Sequence, residues 1–361
     1  MDVSPPGSNP AVDRAREIVM QYGWNATAYQ ILNPGIELWF SNDGRAAAGY
    51  TTRGSVMLVA GGPVCESSAL ADVCNELESF ARGQRRRVCY VCAEERLRAL
   101  FASSPKHASA ALGAQPVWNP RLWPAVIDRR RSLRAQLHRA MNKDVRVGSE
   151  DAATARVDAD LRRVLREWVE GRRLPPLHFM VEPEILDGVL QDRALMVARR
   201  NGRAVAFLVA SPVRARSGYL IELLARSAAA PNGTSELLID SAMRRFARDG
   251  CEFVTLGLVA LAHAADEQIR RNPGWMRIMM YFARAHANRF YNFLGLEHFR
   301  AKMLPDQWQT VYAICNERRF SPATLYAIGG AFSGIPPWAA IAIGVGKAVR
   351  DELLRFRMIA A

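Results

Sequence analysis

Between positions 222 and 250 the chain reads "ELLARSAAAPNGTSELLIDSAMRRFARDG". Glu222 and Arg226 lie four apart in an apolar run, so on a strand they point to one face. Pro231-Asn232-Gly233 then breaks the strand. Thr234 and Ser235 open an amphipathic helix whose apolar face is Leu238, Ile239, Ala242, Met243 and Phe246. The layout sets a charged pair beside a helix N-terminus, where backbone N–H groups and the helix dipole can hold an oxygen-rich group. Two readings stay open. Glu222 and Arg226 are a structural ion pair beside an ordinary turn and cap, or they line a cleft toward which Gly233, Thr234 and Ser235 turn their N–H groups.

A second cationic feature is "DRRRSLRAQLHRAMNKDVRV" at 128–147. Ile127, Leu133, Leu137 and Met141 fall near helical spacing and form an apolar stripe. Arg129, Arg130, Arg131, Arg134, Arg139, Lys143 and Arg146 outnumber Asp128 and Asp144 on the other faces. Such a run is a solvated helix face or a contact for a phosphate backbone; Arg130, Arg131, Arg134 and Lys143 are the candidate phosphate-binding residues. The whole chain points the same way. Its 361 residues carry 48 Lys+Arg against 35 Asp+Glu, a formal charge of +13. That favours polyanionic partners, either nucleic acid or an anionic membrane surface.

Metal chemistry finds no support. Cys89 and Cys92 form a C-x-x-C, but "RVCYVCAEE" reads as a buried strand, on which residues three apart face opposite ways. The six cysteines do not form a disulfide framework, and His178 and His263 lack spaced partners. No cofactor motif is present. The opening "MDVSPPGSNPAVDR" lacks a basic start followed by an apolar stretch, so no signal peptide is read and a cytoplasmic site of action is expected.

These residues need a scaffold, and hydrophobic periodicity supplies one. Helices are expected at 15–22, 70–83, 94–102, 152–171, 182–191 and 235–249. Strands are expected in "IELWFS", "AAAGYTT", "SVMLVAGGP", "RRRVCYVCA", "RALMVARRNGR", "AVAFLVASPV", "GYLIELLA" and "CEFVTLGLV". Asp43-Gly44 and Asn201-Gly202 mark hairpin turns. The expectation is a mixed α/β chain of two similar units, 13–148 and 149–318, long enough for a core in each. Residues 319–361 form a third piece. From Phe320 to Gly346 it has no charge, but Gly329-Gly330, Gly334 and Pro336-Pro337 divide it into pieces too short to span a bilayer. Short helices dipping into one leaflet, flanked by Lys347, Arg350, Arg355 and Arg357, are one reading; a hairpin docked on the core is the other.

Taken together, "GAQPVWNPRLWP", "RRRSLRAQLHRAMNKDVRV", "WVEGRRLPPLHFMV", "APNGTSELLIDSAMR", "VTLGLVAL" and "RFYNFLGLEHFRAK" resemble the C-terminal synthase domain of lysyl- and alanyl-phosphatidylglycerol synthases, the multiple-peptide-resistance-factor family. The resemblance covers about 15–315 in the same order. It implies a tandem of two domains of the Gcn5-related N-acetyltransferase type and transfer of an aminoacyl group from aminoacyl-tRNA to a hydroxyl of phosphatidylglycerol. Relatives usually carry many transmembrane helices ahead of this domain. None precedes it in this sequence, so lipid flipping is not expected, and a peripheral position at the inner face of the membrane, reached through the tail, is. Two departures stand out: Ala260 replaces a proline of "TLGLAPL", and Leu223 stands where relatives often have an aspartate.

Acyl transfer from an ester to an alcohol needs a base, donors for the developing oxyanion and an acid for the leaving oxygen. On the resemblance, Glu222 is the base or grips the amino group, with Arg226 beside it, and Asn232, Gly233 and Thr234 bind substrate oxygens. Tyr291 is the acid toward the ribose oxygen or a packed aromatic with a satisfied hydroxyl, Arg289 and Lys302 bind phosphate, and Arg172 and Arg173 meet the tRNA end or the lipid headgroup or are ordinary surface charges. Two transferase alternatives are a soluble acceptor and an acyl-CoA donor. The second is weakened because no Gln/Arg-x-x-Gly-x-Gly/Ala phosphate loop is found. A basic membrane- or RNA-binding module with a decayed site is the non-enzyme alternative.

Overall fold

The computed structural model describes residues 9–171, 179, 180, 182, 184–286 and 293–333. Helix α1 (Pro10–Tyr22) is capped by Asn9, whose side chain accepts from the Ala11 N–H at 3.1 Å. After a 3-10 segment (Ala28–Leu32), strands β1 (Glu37–Phe40), β2 (Ala47–Arg53) and β3 (Val56–Ala60) form an antiparallel meander. Helix α2 (Leu70–Gly83) buries Leu70, Val73, Cys74, Leu77 and Ala81, the one-face spacing that periodicity predicts, and crosses to β4 (Arg87–Ala93), parallel to β3. Helix α3 (Glu95–Leu100), the long strand β5 (Ala108–Trp118), and helices α4 (Trp123–Arg129) and α5 (Arg131–Met141) follow.

The plan then repeats. Strand β6 (Val145–Glu150) and helices α6 (Ala152–Val157) and α7 (Ala159–Glu170) lead to the antiparallel strands β7 (Ala194–Arg200), β8 (Arg203–Val213) and β9 (Gly218–Arg226). Helix α8 (Thr234–Arg248) crosses to β10 (Phe253–Thr255), parallel to β9. Strand β11 (Val259–Ala260), helices α9 (Asp266–Ile269), α10 (Gly274–His286) and α11 (Phe293–Ala301), strand β12 (Gln307–Cys315) and helix α12 (Pro322–Ser333) complete the described chain.

The fold is mixed α/β, built on one twelve-stranded sheet in the order β1-β2-β3-β4-β12-β5-β10-β9-β8-β7-β6, with β11 paired to β5 off that path. Each half is a meander, a crossover helix and a parallel strand. The last strands are exchanged: β5, from the first half, lies beside β10, and β12, from the second, lies beside β4. They meet as the antiparallel centre of the sheet, paired from Gln307↔Val117 to Cys315↔Ala108 with one register shift between Val311 and Tyr312. Neither half closes its own sheet. One core lies under the first half; two flank the second, one beneath α4, α5 and α8 and one beneath α7.

Several elements differ from expectation. The basic segment at 128–147 is not one helix: Arg130 (φ −111°, ψ 87°) separates α4 from α5, and β6 begins at Val145. Leu133 and Leu137 are buried, but Met141 is exposed. Of the helix expected at 182–191, the described residues hold only a 3-10 turn, Ile185–Asp187. Strand β5 is unforeseen: "ASAALGAQPVW" is rich in small residues of low strand preference, and its place at the centre of the sheet settles its conformation. In the tail, α12 packs on the first-half core through Ala327, Ile328 and Ala331; residues 334–361 lie outside the described chain.

Ion pairs join the halves. Arg16 on α1 reaches both oxygens of Asp192 at 2.5 Å, and the Tyr29 hydroxyl donates to the same carboxylate at 2.9 Å. Arg216 pairs with buried Glu94 at 2.7 Å across the other end of the seam. Burial alone would raise the pKa of Asp192, but the hydrogen bonds from Arg16 and Tyr29 outweigh it and hold the carboxyl below its ordinary 3.8. A carboxylate depressed in this way stabilises the fold above its unfolded pKa and loses that contribution as pH falls through the folded value. Asp192→Asn is expected to lower stability at neutral pH by roughly 1.5–3 kcal/mol. The difference from the parent chain should close below about pH 4; urea melts on both sides of that value check both points.

Candidate active site

Glu222 owes its position to a bulge. Register runs Val209↔Leu223 and then Ala210↔Ile221, so Glu222 is an extra residue with no counterpart on β8. Bulges of this kind re-aim a side chain and occur beside functional sites. Here the bulge splits the neighbours: Leu223 enters the apolar core under α7, while Glu222 turns to a polar seam. A leucine at 223 is therefore the residue that this packing requires.

The partner of Glu222 is Arg193, not Arg226. Arg193 Nε donates to the carboxylate at 2.6 Å, the Ser211 hydroxyl donates to the same oxygen, and Gln30 Nε2 reaches the other at 3.2 Å. The two charged side chains are 1% and 4% exposed. Arg193 also donates to the Val189 carbonyl at 2.6 Å and to Asn33 Oδ1 at 2.7 Å, and lies 5.0 Å from the centre of the Tyr29 ring. Arg226 is exposed at the far end of β9, opposite Ala206. The even spacing of 222 and 226 is real, but the ion pair is made across the seam.

One donor in this cluster is unspent. Asn33 is buried, its Oδ1 is fixed by Arg193, and its Nδ2 has no hydrogen-bond partner among the described residues. A buried amide N–H beside an ion pair calls for an acceptor, which a bound oxygen would supply. Burial, together with the nearby Asp192, pushes the Tyr29 hydroxyl well above its ordinary pKa, so it stays a donor. The cluster can thus present fixed donors and a held charge. It draws on the 3-10 segment and Asn33 from the first half, the Asp192-Arg193 turn, β8 and β9.

The strand-to-helix corner is differently built from expectation. Gly233 has φ +93° and caps α8; a Cβ there would stand 2.0 Å from the Gln136 carbonyl oxygen, so α5 sits directly on the corner. Thr234 is fully buried, and both its N–H and its hydroxyl donate to the Pro231 carbonyl, at 3.2 and 2.7 Å. The Thr234 N–H is therefore not offered to a ligand, and Asn232 is exposed. Lys302 donates to Glu236 in the first turn of α8 at 2.6 Å, where the acid already complements the helix dipole.

The basic stretch divides by role. Arg134 donates through Nη1 to the carbonyls of Ile127 (2.7 Å) and Asp128, closing the C-terminus of α4. Arg130 is half-buried with an unpartnered Nε, whereas Arg129, Arg131, Arg139, Lys143 and Arg146 are exposed. Tyr291, Arg172, Arg173, Arg289 and His178 lie outside the described residues. His263 meets Glu297 at 2.9 Å. Among the described residues all six cysteines are free and buried, and no group of His, Cys, Asp and Glu could hold a metal.

Sequence reasoning missed Arg193, Asp192, Gln30, Asn33 and Ser211. A signal existed for the first two: "QDRALMV" sets two charges directly ahead of a buried strand.

The comparisons with known proteins agree with this architecture. The family model described as phosphatidylglycerol lysyltransferase, C-terminal, matches residues 16–315. A solved structure described as the C-terminal DUF2156 domain of a lysylphosphatidylglycerol synthetase from Agrobacterium fabrum superposes with a TM-score of 0.70 at 21% identity, covering 90% of this chain and 97% of that one. L-PGS from Bacillus licheniformis gives 0.72 at 19% identity, covering 91% and 99%. A protein of unknown function from Bacteroides thetaiotaomicron gives 0.57 at 12% identity, covering 86% and 99%. No curated protein matches the sequence.

The buried pair yields a test that separates structure from chemistry. Arg193→Met alone leaves Glu222 charged and unpaired and is expected to cost about 3–5 kcal/mol. Arg193→Met combined with Glu222→Leu removes both charges and should restore most of that loss. Denaturant melts of both single variants and the double variant check the order; losses in the double variant equal to the sum of the two single losses would show that the pair is not coupled.

Proposed function

The chain belongs to the phosphatidylglycerol lysyltransferase C-terminal family, and from that premise we propose that it moves an aminoacyl group from aminoacyl-tRNA to a hydroxyl of a phosphatidylglycerol-like lipid. It is a transferase, and its family acts on phosphatidylglycerol. The finer reading, with tRNA as the donor's carrier, is supported by the exposed cations of α5 and the turn after it, and by a charge of +13.

The observation that carries the site is the buried Glu222–Arg193 pair at the β9 bulge with the unspent Asn33 amide beside it. In the proposed reaction the lipid hydroxyl attacks the ester carbonyl, the bond from that carbonyl carbon to the ribose oxygen breaks, and the proton lost by the lipid hydroxyl is passed to the leaving ribose oxygen. Asn33 Nδ2 is the donor to the carbonyl oxygen as negative charge develops there. Arg193 orients Asn33, and Glu222 holds Arg193, so Glu222 acts as a positioning residue. Tyr291 is proposed as the acid for the ribose oxygen, with Arg172, Arg173 and Arg289 for phosphate groups. A peripheral position at the membrane follows from the acceptor.

The test is to incubate the full chain with labelled aminoacyl-tRNA and phosphatidylglycerol vesicles, then follow the label into the organic phase. Label from at least one amino acid is expected, and RNase treatment of the donor should abolish it. No transfer from any charged tRNA would refute the proposal. Asn33→Ala, which leaves the Glu222–Arg193 contact in place, is expected to lower turnover about 10²-fold or more. Arg131→Glu with Lys143→Glu should weaken tRNA binding and flatten its salt dependence; an unchanged slope in a filter-binding titration would leave that helix a structural role only.

A further inference from the structure

Helix α10 departs from the pattern of the other helices. Its inner face is ordinary: Met276 and Met280 are buried in the first-half core, and Asn272 reaches Met280. Its outer face is apolar and exposed. Trp275, Ile278, Met279 and Phe282 follow the i, i+3, i+4, i+7 spacing of one helical stripe, and all are exposed, Ile278 by 73% and Phe282 by 65%. Tyr281 lies beside them, also exposed. Scattered apolar side chains at a surface need no explanation, but a contiguous stripe marks a place where something binds.

We infer that α10 is an interfacial helix that lays this stripe into the surface of an anionic lipid bilayer. The side chains suit that boundary: aliphatic residues with Trp and Tyr, whose rings carry a polar tip toward the headgroups. The helix has 13 residues, too few to cross a bilayer, and no helix among the described residues is long and apolar enough to do so. Lying in the plane of the interface is the geometry left to it.

Charge selects an anionic surface. Arg270 and Arg271 are exposed just before the helix, and Arg277 is exposed on it. The acids nearby are engaged: Asp266 with Arg284 at 2.7 Å, and Glu267 with Arg271 at 3.0 Å. Four arginines against two acids leave the stretch cationic, the complement of phosphatidylglycerol headgroups. Membrane contact is thereby assigned to α10 rather than to α12, on which Tyr326 is the one large apolar side chain exposed among the described residues. The inference rests on the lipid-acceptor reading, which puts the substrate in such a surface.

Sedimentation of the full chain with vesicles tests it. Binding to mixed phosphatidylglycerol–phosphatidylcholine vesicles should exceed binding to phosphatidylcholine alone and weaken with salt. Ile278→Asp with Phe282→Asp, or Arg270→Glu with Arg271→Glu, should reduce partition onto the mixed vesicles at least tenfold with unchanged thermal melts. Unchanged partition of the apolar variant overturns the proposal. So does a lipid-free oligomer in the parent chain that this variant dissolves, since the stripe would then be a self-contact. Activity separates this idea from the reaction it serves. The apolar variant should lose transfer to vesicles but keep transfer to short-chain phosphatidylglycerol dispersed as monomers. A parent chain inactive on both forms sinks the transferase reading, while the partition measurement still decides the docking helix.

Discussion

A guanidinium cannot shed its proton to escape burial, so Arg193, at 1% exposure, dictates its surroundings. It needs acceptors on every side, and the chain supplies them from distant places: Glu222 from β9, Ser211 from β8, the Val189 carbonyl from its own loop and Asn33 from the first half. The bulge in β9 exists at the one residue that answers this demand, and Leu223 is free to fill the α7 core because Glu222 has been turned away from it. The adjacent Asp192 faces Arg16 and Tyr29. Two neighbouring residues of opposite charge thus fasten the second half to α1 and to the 3-10 segment.

The exchanged strands make this seam rigid. Because β5 and β12 pair with each other and each with the parallel strand of the opposite half, the boundary between the halves is crossed by continuous backbone hydrogen bonding. A hinge would have to tear the centre of the sheet. A donor such as Asn33 Nδ2 is therefore held on regular elements and their immediate ends, the condition for fixed geometry at a site. The small residues of β5 fit the same picture: β11 pairs with its middle at Gly113 and Ala114, where a Cβ on Gly113 would meet the Val259 carbonyl oxygen at 2.1 Å.

What was legible in the sequence was periodic. Helices α2 and α8 and strands β3, β4, β8 and β9 carry apolar spacing of their own, and they form where that spacing puts them. Strand β5 has no such signal, since its conformation comes from its neighbours. Glu222 was readable as a residue out of place in an apolar run; its partner was not, because Arg193 is 29 positions away and meets it only through the bulge. Arg226, four residues on, offered a false partner, since even spacing reports the face of a strand and says nothing of what lies across it. Arg134 hides a second role: in a basic run it looks like surface charge, and its Nη1 also closes α4.

The same bookkeeping explains where the excess charge goes. Buried or half-buried acids are committed inside the fold: Glu222 to Arg193, Glu94 to Arg216, Asp192 to Arg16, Glu236 to Lys302, and Asp240 to Arg244 and the Trp123 indole. Each such pair neutralises one cation of the 48 but also uses one of only 35 acids. Cations outside these pairs include Arg129, Arg131, Arg139, Lys143 and Arg146 around α5 and Arg270 and Arg277 around α10, which stand at the surface, where water screens them from one another. Because each pair removes one charge of either sign, the surplus of 13 cations is left outside such pairs, and it includes two separate cationic faces, one polar along its helix and one carrying an apolar stripe. On the proposed reading, one face suits a polyanion in water and the other an anionic lipid at an interface.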